Sequence, residues 1–163
     1  MHFSISQEMM REIIMDHYQN PRNKREGDDS YQTIYMDSTS CIDKIYIQIK
    51  IVNNVFEDVC WHGTGCAISC ASTSIMSELL KGKTVEEGNK IIDNYVNMIT
   101  GKEYDPEILD EAIVFMNTSR QPSRIKCATI GFNGVRKLLS GEDIYERKNW
   151  KSNIKSRRLQ IWF

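Results

Sequence analysis

Strict alternation marks Lys44–Val52, where isoleucines occupy every second position and mostly polar or aromatic residues stand between them. A period of two predicts a β-strand with one buried face. The segment Tyr31–Met36, rich in aromatic and β-branched residues, predicts an earlier strand, and Val55–Trp61 resumes the pattern after a two-residue turn at Asn53–Asn54. The pattern therefore predicts three short strands, of which the last two form a hairpin.

Helical spacing of apolar residues replaces the alternation on both sides of these strands. Ser6–Tyr18 predicts a first helix, which ends at Asn20–Pro21 because the residue before a proline avoids the helical region. After Cys66 the period becomes helical again until about Gly82. The first of the predicted helices thus precedes the strands, and the others follow them.

Three further helices are predicted in the second half of the chain. A capping box begins at Thr84, and the helix after it stops at Gly101. Asp105–Pro106 predicts another helix start, because aspartate caps the amide groups and proline suits the first helical position. A final core helix extends from Cys127 to Gly141. Strands followed by helices indicate an α+β domain, with a small antiparallel sheet covered on one face.

Composition narrows the class of protein. The chain has 163 residues, 40% of them apolar, with 21 lysines and arginines against 22 acids. Its length suits one compact domain, and its balanced charge does not point to nucleic acid. We see no secretory signal and no apolar run near the roughly 18 residues that a membrane helix needs. We therefore expect a cytoplasmic protein, in which thiols are typically buried, metal-bound or catalytic.

Cysteines stand at three predicted junctions: Cys41 between the first two strands, Cys66 after the third strand, and Cys127 where the last helix begins. In a meander, the first two junctions share one end of the sheet, and a packed helix can bring the third residue there. Asp43 is close enough to Cys41 to face the same ion. Three thiolates and a carboxylate suit zinc or iron–sulfur chemistry. From spacing alone, cysteines that bind no metal remain the simpler interpretation.

Position at a helix start adds a physical reason for reactivity. The N-terminus of a helix carries partial positive charge and free amide groups, which lower the pKa of a nearby thiol. Cys66 and Cys127 are both predicted at such positions. Cys60, in a strand, and Cys70, one helical turn after Cys66, are more typical of packing residues.

Four sequence blocks stand in order along the chain: MDHYQNPRN (Met15–Asn23), GTGCAISCASTSIM (Gly63–Met76), LLKGK (Leu79–Lys83) and SRIKCAT (Ser123–Thr129). These blocks resemble the SufU-type branch of the IscU/NifU-like iron–sulfur cluster assembly family. The resemblance is collinear from about Met9 to Gly141 and implies a SufE/NifU-like fold for residues 1–141. A basic tail, residues 142–163, lies outside it; we expect the tail to be frayed or docked on its own domain rather than bound to a membrane surface.

The resemblance implies a function and its residues. By matching position, zinc would be held by the set Cys41, Asp43, Cys66 and Cys127. Cys41 would accept sulfur as a persulfide from a SufS-type PLP-dependent cysteine desulfurase, for delivery to downstream iron–sulfur assembly proteins. Arg124 matches the family's arginine before the last cysteine motif and would stabilise or position the anionic sulfur. The chain departs from the family at Ile42, where a glycine is usual, and isoleucine resists the positive φ that glycine permits.

Two other functions remain open at this stage. The same cysteines could build a transient [2Fe–2S] cluster, which would make the chain a scaffold, or they could hold a structural zinc ion in an interaction module. Lys126 stands where IscU-type chains carry a histidine before the last cysteine, which favours the SufU-type alternative. His17 is interpreted as a packing residue and His62 as a turn residue with a solvent or backbone partner.

Overall fold

The computed structural model describes residues 5–38 and 42–141, and the predicted α+β fold is confirmed within them. A three-stranded antiparallel sheet has the order β1-β2-β3 and carries the helices on one side. The elements, in chain order, are α1 Gln7–Gln19, β1 Gln32–Asp37, β2 Lys44–Val52, β3 Val55–Thr64, α2 Ala67–Leu80, α3 Val85–Ile99 and α4 Ile125–Ser140.

The central strand divides the sheet as its alternation predicts. Ile45, Ile47 and Ile49 are fully buried and face the helices, whereas Tyr46 lies on the opposite face and is 41% exposed. Asn53–Asn54 makes the predicted hairpin turn with φ values of 50° and 63°. Asparagine tolerates this left-handed region better than most residues, which explains the tight connection between β2 and β3.

The helices form as their capping residues predict. Ser6 accepts a hydrogen bond from the amide of Met9 at the start of α1, and Thr84 accepts one from the amide of Glu87 at the start of α3. The helix α4 lies against β1 and β2, where Gly134 allows close approach: a Cβ there would stand 2.6 Å from Cδ1 of Ile47. Close packing of α4 on the sheet fixes where its N-terminal end lies.

The prediction of a regular helix after Asp105–Pro106 is wrong. The segment instead forms short 3₁₀ helices, including Pro106–Ile108 and Asp110–Phe115. Asp110, the first residue of the second of these, has a φ of 46°, so the residues before and after it cannot form one continuous α-helix. The apolar residues Leu109, Ala112 and Phe115 are nevertheless buried as a core-facing segment should be.

The junctions next to Asp43 and Cys66, two of the candidate ligands, lie at the same end of the sheet. Asp37 at the end of β1 pairs with Lys44, and Lys44 pairs with Thr64 at the end of β3. The end of β1, the start of β2 and the β3–α2 junction therefore lie side by side. Across the part of the chain that the structure describes, no helix is both long and apolar enough to cross a bilayer.

Candidate metal centre

Three predicted ligands meet at this end of the sheet. One oxygen of Asp43 and the Sγ atoms of Cys66 and Cys127 all lie within 4.8 Å of one another. Asp43 is 1% exposed and Cys127 is 3% exposed. Cys41, the remaining predicted ligand, falls outside the described residues. The three side chains come from separate elements, so the fold and not local sequence brings them together.

The close approach of β2 and β3 positions Asp43 beside Cys66. Gly63 has a φ of 123°, and a Cβ at this position would stand only 2.1 Å from the carbonyl oxygen of Lys44. Any side chain there would push the two strands apart. Glycine at position 63 is therefore required for the pairing that sets Asp43 next to the start of α2.

Cys66 is the N-cap residue of α2. Its Sγ accepts a hydrogen bond from the amide of Ser69 at 3.4 Å, as a serine or aspartate oxygen does at other helix starts. Burial raises the pKa of the Cys66 thiol, but hydrogen bonding at the start of α2, including the bond from the Ser69 amide, outweighs burial and lowers the pKa overall. The helix start thus favours a thiolate, the form that binds metal.

The carboxylate of Asp43 is held by the same helix start. Its Oδ1 accepts hydrogen bonds from the Cys66 amide at 3.0 Å and from the Ser69 hydroxyl at 2.7 Å. Gly65 leaves the space for this contact, because a Cβ there would stand 2.4 Å from Oγ of Ser69 and 3.0 Å from Oδ1 of Asp43. The turn before Cys66 therefore needs glycine for room around the ligands.

Cys127 lies in the first turn of α4, which begins two residues earlier than predicted, at Ile125. The hydroxyl of Ser72 on α2 donates to the carbonyl oxygen of Cys127 at 3.4 Å. The helices α2 and α4 also pack directly on each other. This packing brings the N-terminal ends of both helices, with their partial positive charge, to the same point.

The donor set fits a tetrahedral soft metal ion. Two thiolates bound at about 2.3 Å to one tetrahedral zinc lie about 3.8 Å apart, and the spread of the three donor atoms is compatible with this. Two sulfurs and one carboxylate oxygen favour zinc or iron over magnesium and calcium. Three protein ligands leave one position of a tetrahedral ion for another donor.

Two further predicted site features have clear positions. Arg124 is exposed and is the residue immediately before α4, close in sequence to Cys127; its role stays a prediction. Ile42 is 69% exposed. The effect of isoleucine in place of the usual glycine stays a prediction.

The other thiols lie in the core. Cys60 is fully buried in β3 and Cys70 is 5% exposed in α2, and burial raises the pKa of both thiols. Neither belongs to the group of converging donor atoms found among the described residues. Packing roles, as predicted, account for both.

The sequence interpretation is confirmed for one of the two histidines, His17 and His62, and wrong for the other. His17 is buried, with Nδ1 at 2.8 Å from Oγ of Ser74 and Nε2 at 2.6 Å from Glu111, which confirms its packing role. The interpretation of His62 as a turn residue is wrong: it lies within β3, and its ring stacks on Tyr46 at 4.8 Å between centroids. The strand β3 continues past Trp61 because it pairs with the start of β2.

The family profile described as the NifU-like N-terminal domain matches residues 9–131. The chain belongs to this family. It is 38% identical to the zinc-dependent sulfurtransferase SufU of Bacillus subtilis, over 83% of this chain and 92% of that protein. It is 29% identical to the iron–sulfur cluster assembly scaffold protein IscU of Streptococcus pyogenes, over 78% of this chain and 80% of that protein. The resemblance to the SufU-type branch is thereby confirmed.

Solved structures of the NifU-like family show the same fold. The crystal structure described as an iron–sulfur cluster assembly scaffold protein for the SUF system, from Fervidobacterium islandicum, has a TM-score of 0.74 at 30% identity. The match covers 77% of this chain and 92% of that one. A NifU-like N-terminal domain from Brucella abortus, at 18% identity, shares the fold with a TM-score of 0.68.

Sequence reasoning missed the contacts around the ligands in this NifU-like chain. Ser69 donates to Asp43 and Gly65 leaves the room for that contact, and neither residue is a ligand. A signal for Ser69 existed in its spacing, because a hydroxyl three residues after an N-cap lies beside the capping side chain. Nothing in the sequence indicates that this hydroxyl would meet a carboxylate from a preceding loop.

Proposed function

We propose that this chain is a zinc-dependent sulfur-transfer protein of iron–sulfur cluster assembly, which accepts sulfur at Cys41 from a SufS-type PLP-dependent cysteine desulfurase. The observation that carries the proposal is the convergence of Asp43, Cys66 and Cys127 within 4.8 Å. The similarity to SufU of Bacillus subtilis, whose name states a zinc-dependent sulfurtransferase, supports it. Cys41, two residues before Asp43 in sequence, supplies the fourth donor of the predicted set.

The proposed transfer needs no oxidant or reductant. The thiolate of Cys41 attacks the outer sulfur of the desulfurase persulfide, and a new sulfur–sulfur bond forms. The bond between that sulfur and the desulfurase cysteine breaks, and the desulfurase cysteine leaves as a thiolate. Charge and electrons balance, because one thiolate and one persulfide replace another thiolate and persulfide.

Each residue of the set has a proposed role. Asp43, Cys66 and Cys127 hold zinc, and bound zinc keeps a coordinating thiol deprotonated at neutral pH. Arg124 stabilises the anionic sulfur during transfer, because a guanidinium is always charged at physiological pH. The position of Arg124 immediately before α4 supports this role, since Cys127 lies in the first turn of the same helix.

The test compares alanine variants of the four ligands with Cys60→Ala and Cys70→Ala as matched controls, because both controls remove a buried thiol outside the converging group. We expect Asp43→Ala, Cys66→Ala and Cys127→Ala to lose bound zinc by elemental analysis, and the controls to keep it. We expect Cys41→Ala to abolish stimulation of desulfurase turnover. Unchanged zinc in all ligand variants, or full stimulation by Cys41→Ala, would refute the proposal.

A scaffold function is the second candidate, and the similarity to the IscU scaffold protein favours it. The same thiolates suit iron–sulfur clusters as well as zinc. Anaerobic incubation of the zinc-free protein with iron and sulfide separates the two functions. A stable brown [2Fe–2S] species that is transferred to an apo-acceptor supports the scaffold, whereas a colourless zinc protein that accelerates the desulfurase supports sulfur transfer. A structural zinc module would leave assembly intact in Cys41→Ala.

A further inference from the structure

Ser69 is fully buried in the first turn of α2 and contacts two of the candidate ligands. Its hydroxyl lies 2.7 Å from Oδ1 of Asp43, and its amide donates to Sγ of Cys66 at 3.4 Å. Asp43 precedes β2 and Cys66 caps α2, so these ligands come from different elements. Ser69 therefore joins two parts of the site that the chain brings together only by folding.

The direction of the Ser69 hydroxyl follows from its acceptors. A serine hydroxyl has one proton to donate. Besides Asp43, the carbonyl oxygen of Cys66 lies 3.1 Å away and the Cys66 sulfur 3.5 Å away. The carboxylate is both the nearest and the only charged oxygen acceptor of these, and hydrogen bonds to charged oxygens are the shorter and stronger kind. The proton therefore goes to Asp43.

Two donors from α2 then fix the carboxylate. The Cys66 amide, at 3.0 Å, and the Ser69 hydroxyl share Oδ1 of Asp43. With one oxygen held at two points, the carboxylate has little freedom to rotate relative to the sulfurs of Cys66 and Cys127. Hydrogen bonds that orient a metal-binding side chain in this way typically raise metal affinity 10- to 100-fold.

We propose that Ser69 is a positioning residue of the metal centre: its hydroxyl sets the Asp43 carboxylate in the orientation that completes the donor set with the two thiolates. This inference rests on the zinc centre of the proposed function and adds a residue that binds no metal itself. It assigns the orienting effect that a Ser69 substitution would remove to the Ser69 hydroxyl, and not to the Ser69 amide or to the helix as a whole. The amide contact to Cys66 survives any substitution except proline.

The control for Ser69→Ala is Ser77→Ala. Ser77 is a serine of the same helix and is fully buried. Its hydroxyl bonds to the carbonyl oxygens of Ser74 and Arg22 and to the side-chain amide of Asn23, none of which is a candidate ligand. Each substitution deletes one buried hydroxyl from α2. A loss caused merely by deleting a buried hydroxyl would appear in both variants, whereas the positioning role predicts a loss in Ser69→Ala alone. Ser69→Thr keeps a hydroxyl at the same position and should restore binding.

The experiment measures zinc affinity of the full chain by competition with a chromophoric chelator, together with the absorption spectrum after replacement of zinc by Co²⁺. We expect Ser69→Ala to weaken zinc binding 10- to 100-fold and to change the Co²⁺ bands that report ligand geometry. We expect Ser77→Ala to match the unmodified protein in both measurements. Equal affinity and an unchanged Co²⁺ spectrum in Ser69→Ala would overturn the inference.

A double-mutant cycle tests whether the hydroxyl acts through the carboxylate. In the Asp43→Ala background, measured with enough zinc to load this weakened protein, Ser69→Ala is expected to change the zinc affinity by less than about twofold, because the group that it positions is gone. A loss of the same size in both backgrounds would show that Ser69 acts by another route. Absence of zinc from the unmodified protein would refute the proposed function, whereas zinc-loaded unmodified protein with unaffected Ser69→Ala would refute this inference alone.

Discussion

Gly65 is the residue whose lack of a side chain gives Asp43 and Ser69 room to meet. We predict that Gly65→Ala weakens zinc binding at least tenfold, because the added methyl group would stand 2.4 Å from Oγ of Ser69 and must displace it. Chelator competition measures the affinity. Zinc binding by Gly65→Ala equal to that of the unmodified protein would contradict this account of the turn.

Gly88→Ala is the matched control for Gly65→Ala. Its added methyl group would stand 2.4 Å from Cε2 of Phe56, in the core of the domain and away from the ligands. We expect this variant to lose stability, by about 1–3 kcal/mol for overpacking, while its zinc affinity stays unchanged. A comparable loss of zinc in both variants would mean that general destabilisation, and not crowding at the site, explains the effect.

Asp58 is predicted to make stability depend on acid pH. Burial raises the pKa of Asp58, but hydrogen bonds from Arg25, Tyr31 and Lys81 outweigh burial and lower the pKa to about 2. Because the folded-state pKa lies below the unfolded value of 3.8, the ionised carboxylate stabilises the fold above about pH 4. This contribution is lost as the pH falls from about 4 to 2.

Urea denaturation of Asp58→Asn at several pH values checks the acid dependence. We expect the variant to be less stable than the unmodified protein by roughly 1–3 kcal/mol at pH 7. The difference should shrink between about pH 4 and pH 2, where the native carboxylate becomes protonated. A difference that stays constant over this range would show that ionisation of Asp58 does not contribute.

The candidate ligands could be proposed from sequence because cysteines at element junctions are unusual in type and position. Their convergence could be inferred for Asp43 and Cys66, since a meander places both junctions at one end of the sheet. The contribution of Ser69 could not be inferred, because serine is common in the first turn of a helix and its partner is distant in sequence. Resemblance, not spacing, singled out Arg124.

At the scale of elements, the start of α3 depends on one hydroxyl. Thr84 accepts a hydrogen bond from the amide of Glu87 at 3.2 Å. We predict that Thr84→Ala lowers the free energy of unfolding by about 1 kcal/mol, because a capping interaction is lost. Thr84→Ser keeps the acceptor and should cost much less, as measured by urea denaturation. Equal losses in both variants would assign the effect to the methyl group and not to the cap.

Strands were predictable in this chain and the segment before α4 was not. Alternation fixed both bounds of β2, because every inward position of that strand is isoleucine. Apolar residues between Ile108 and Met116 indicate a helical segment but do not distinguish an α-helix from 3₁₀ turns. The positive φ of Asp110 rules out a continuous α-helix at this point. Aspartate in a sequence gives only a weak signal for such a conformation.

At the scale of the whole molecule, the last buried apolar residues of the described core lie near the end of α4. Gly141 ends this helix in the left-handed conformation, with φ of 79°. We predict that a chain ending at Gly141 keeps its zinc content and its melting temperature, because the buried apolar cluster and the three converging donors lie within residues 5–141. Elemental analysis and calorimetry measure both. A truncated chain that lost zinc would assign residues 142–163 a part in the site.

A second truncation is the matched control for the chain that ends at Gly141. A chain that ends at Arg124 lacks α4, which supplies Cys127 and core residues such as Phe132 and Val135. We expect this shorter chain to lose both zinc and cooperative unfolding. Retention of either property would mean that α4 is dispensable, contrary to its position against the sheet.

The wide separation of the ligands along the chain has a consequence for biosynthesis. During translation, Asp43 and Cys66 leave the ribosome well before Cys127, which comes near the end of the domain. A growing polypeptide thus presents an incomplete set of donors until almost all of its core has been made. The three converging donors are therefore complete only after synthesis has passed Cys127, and a metal ion that needs all of them can bind only from that point.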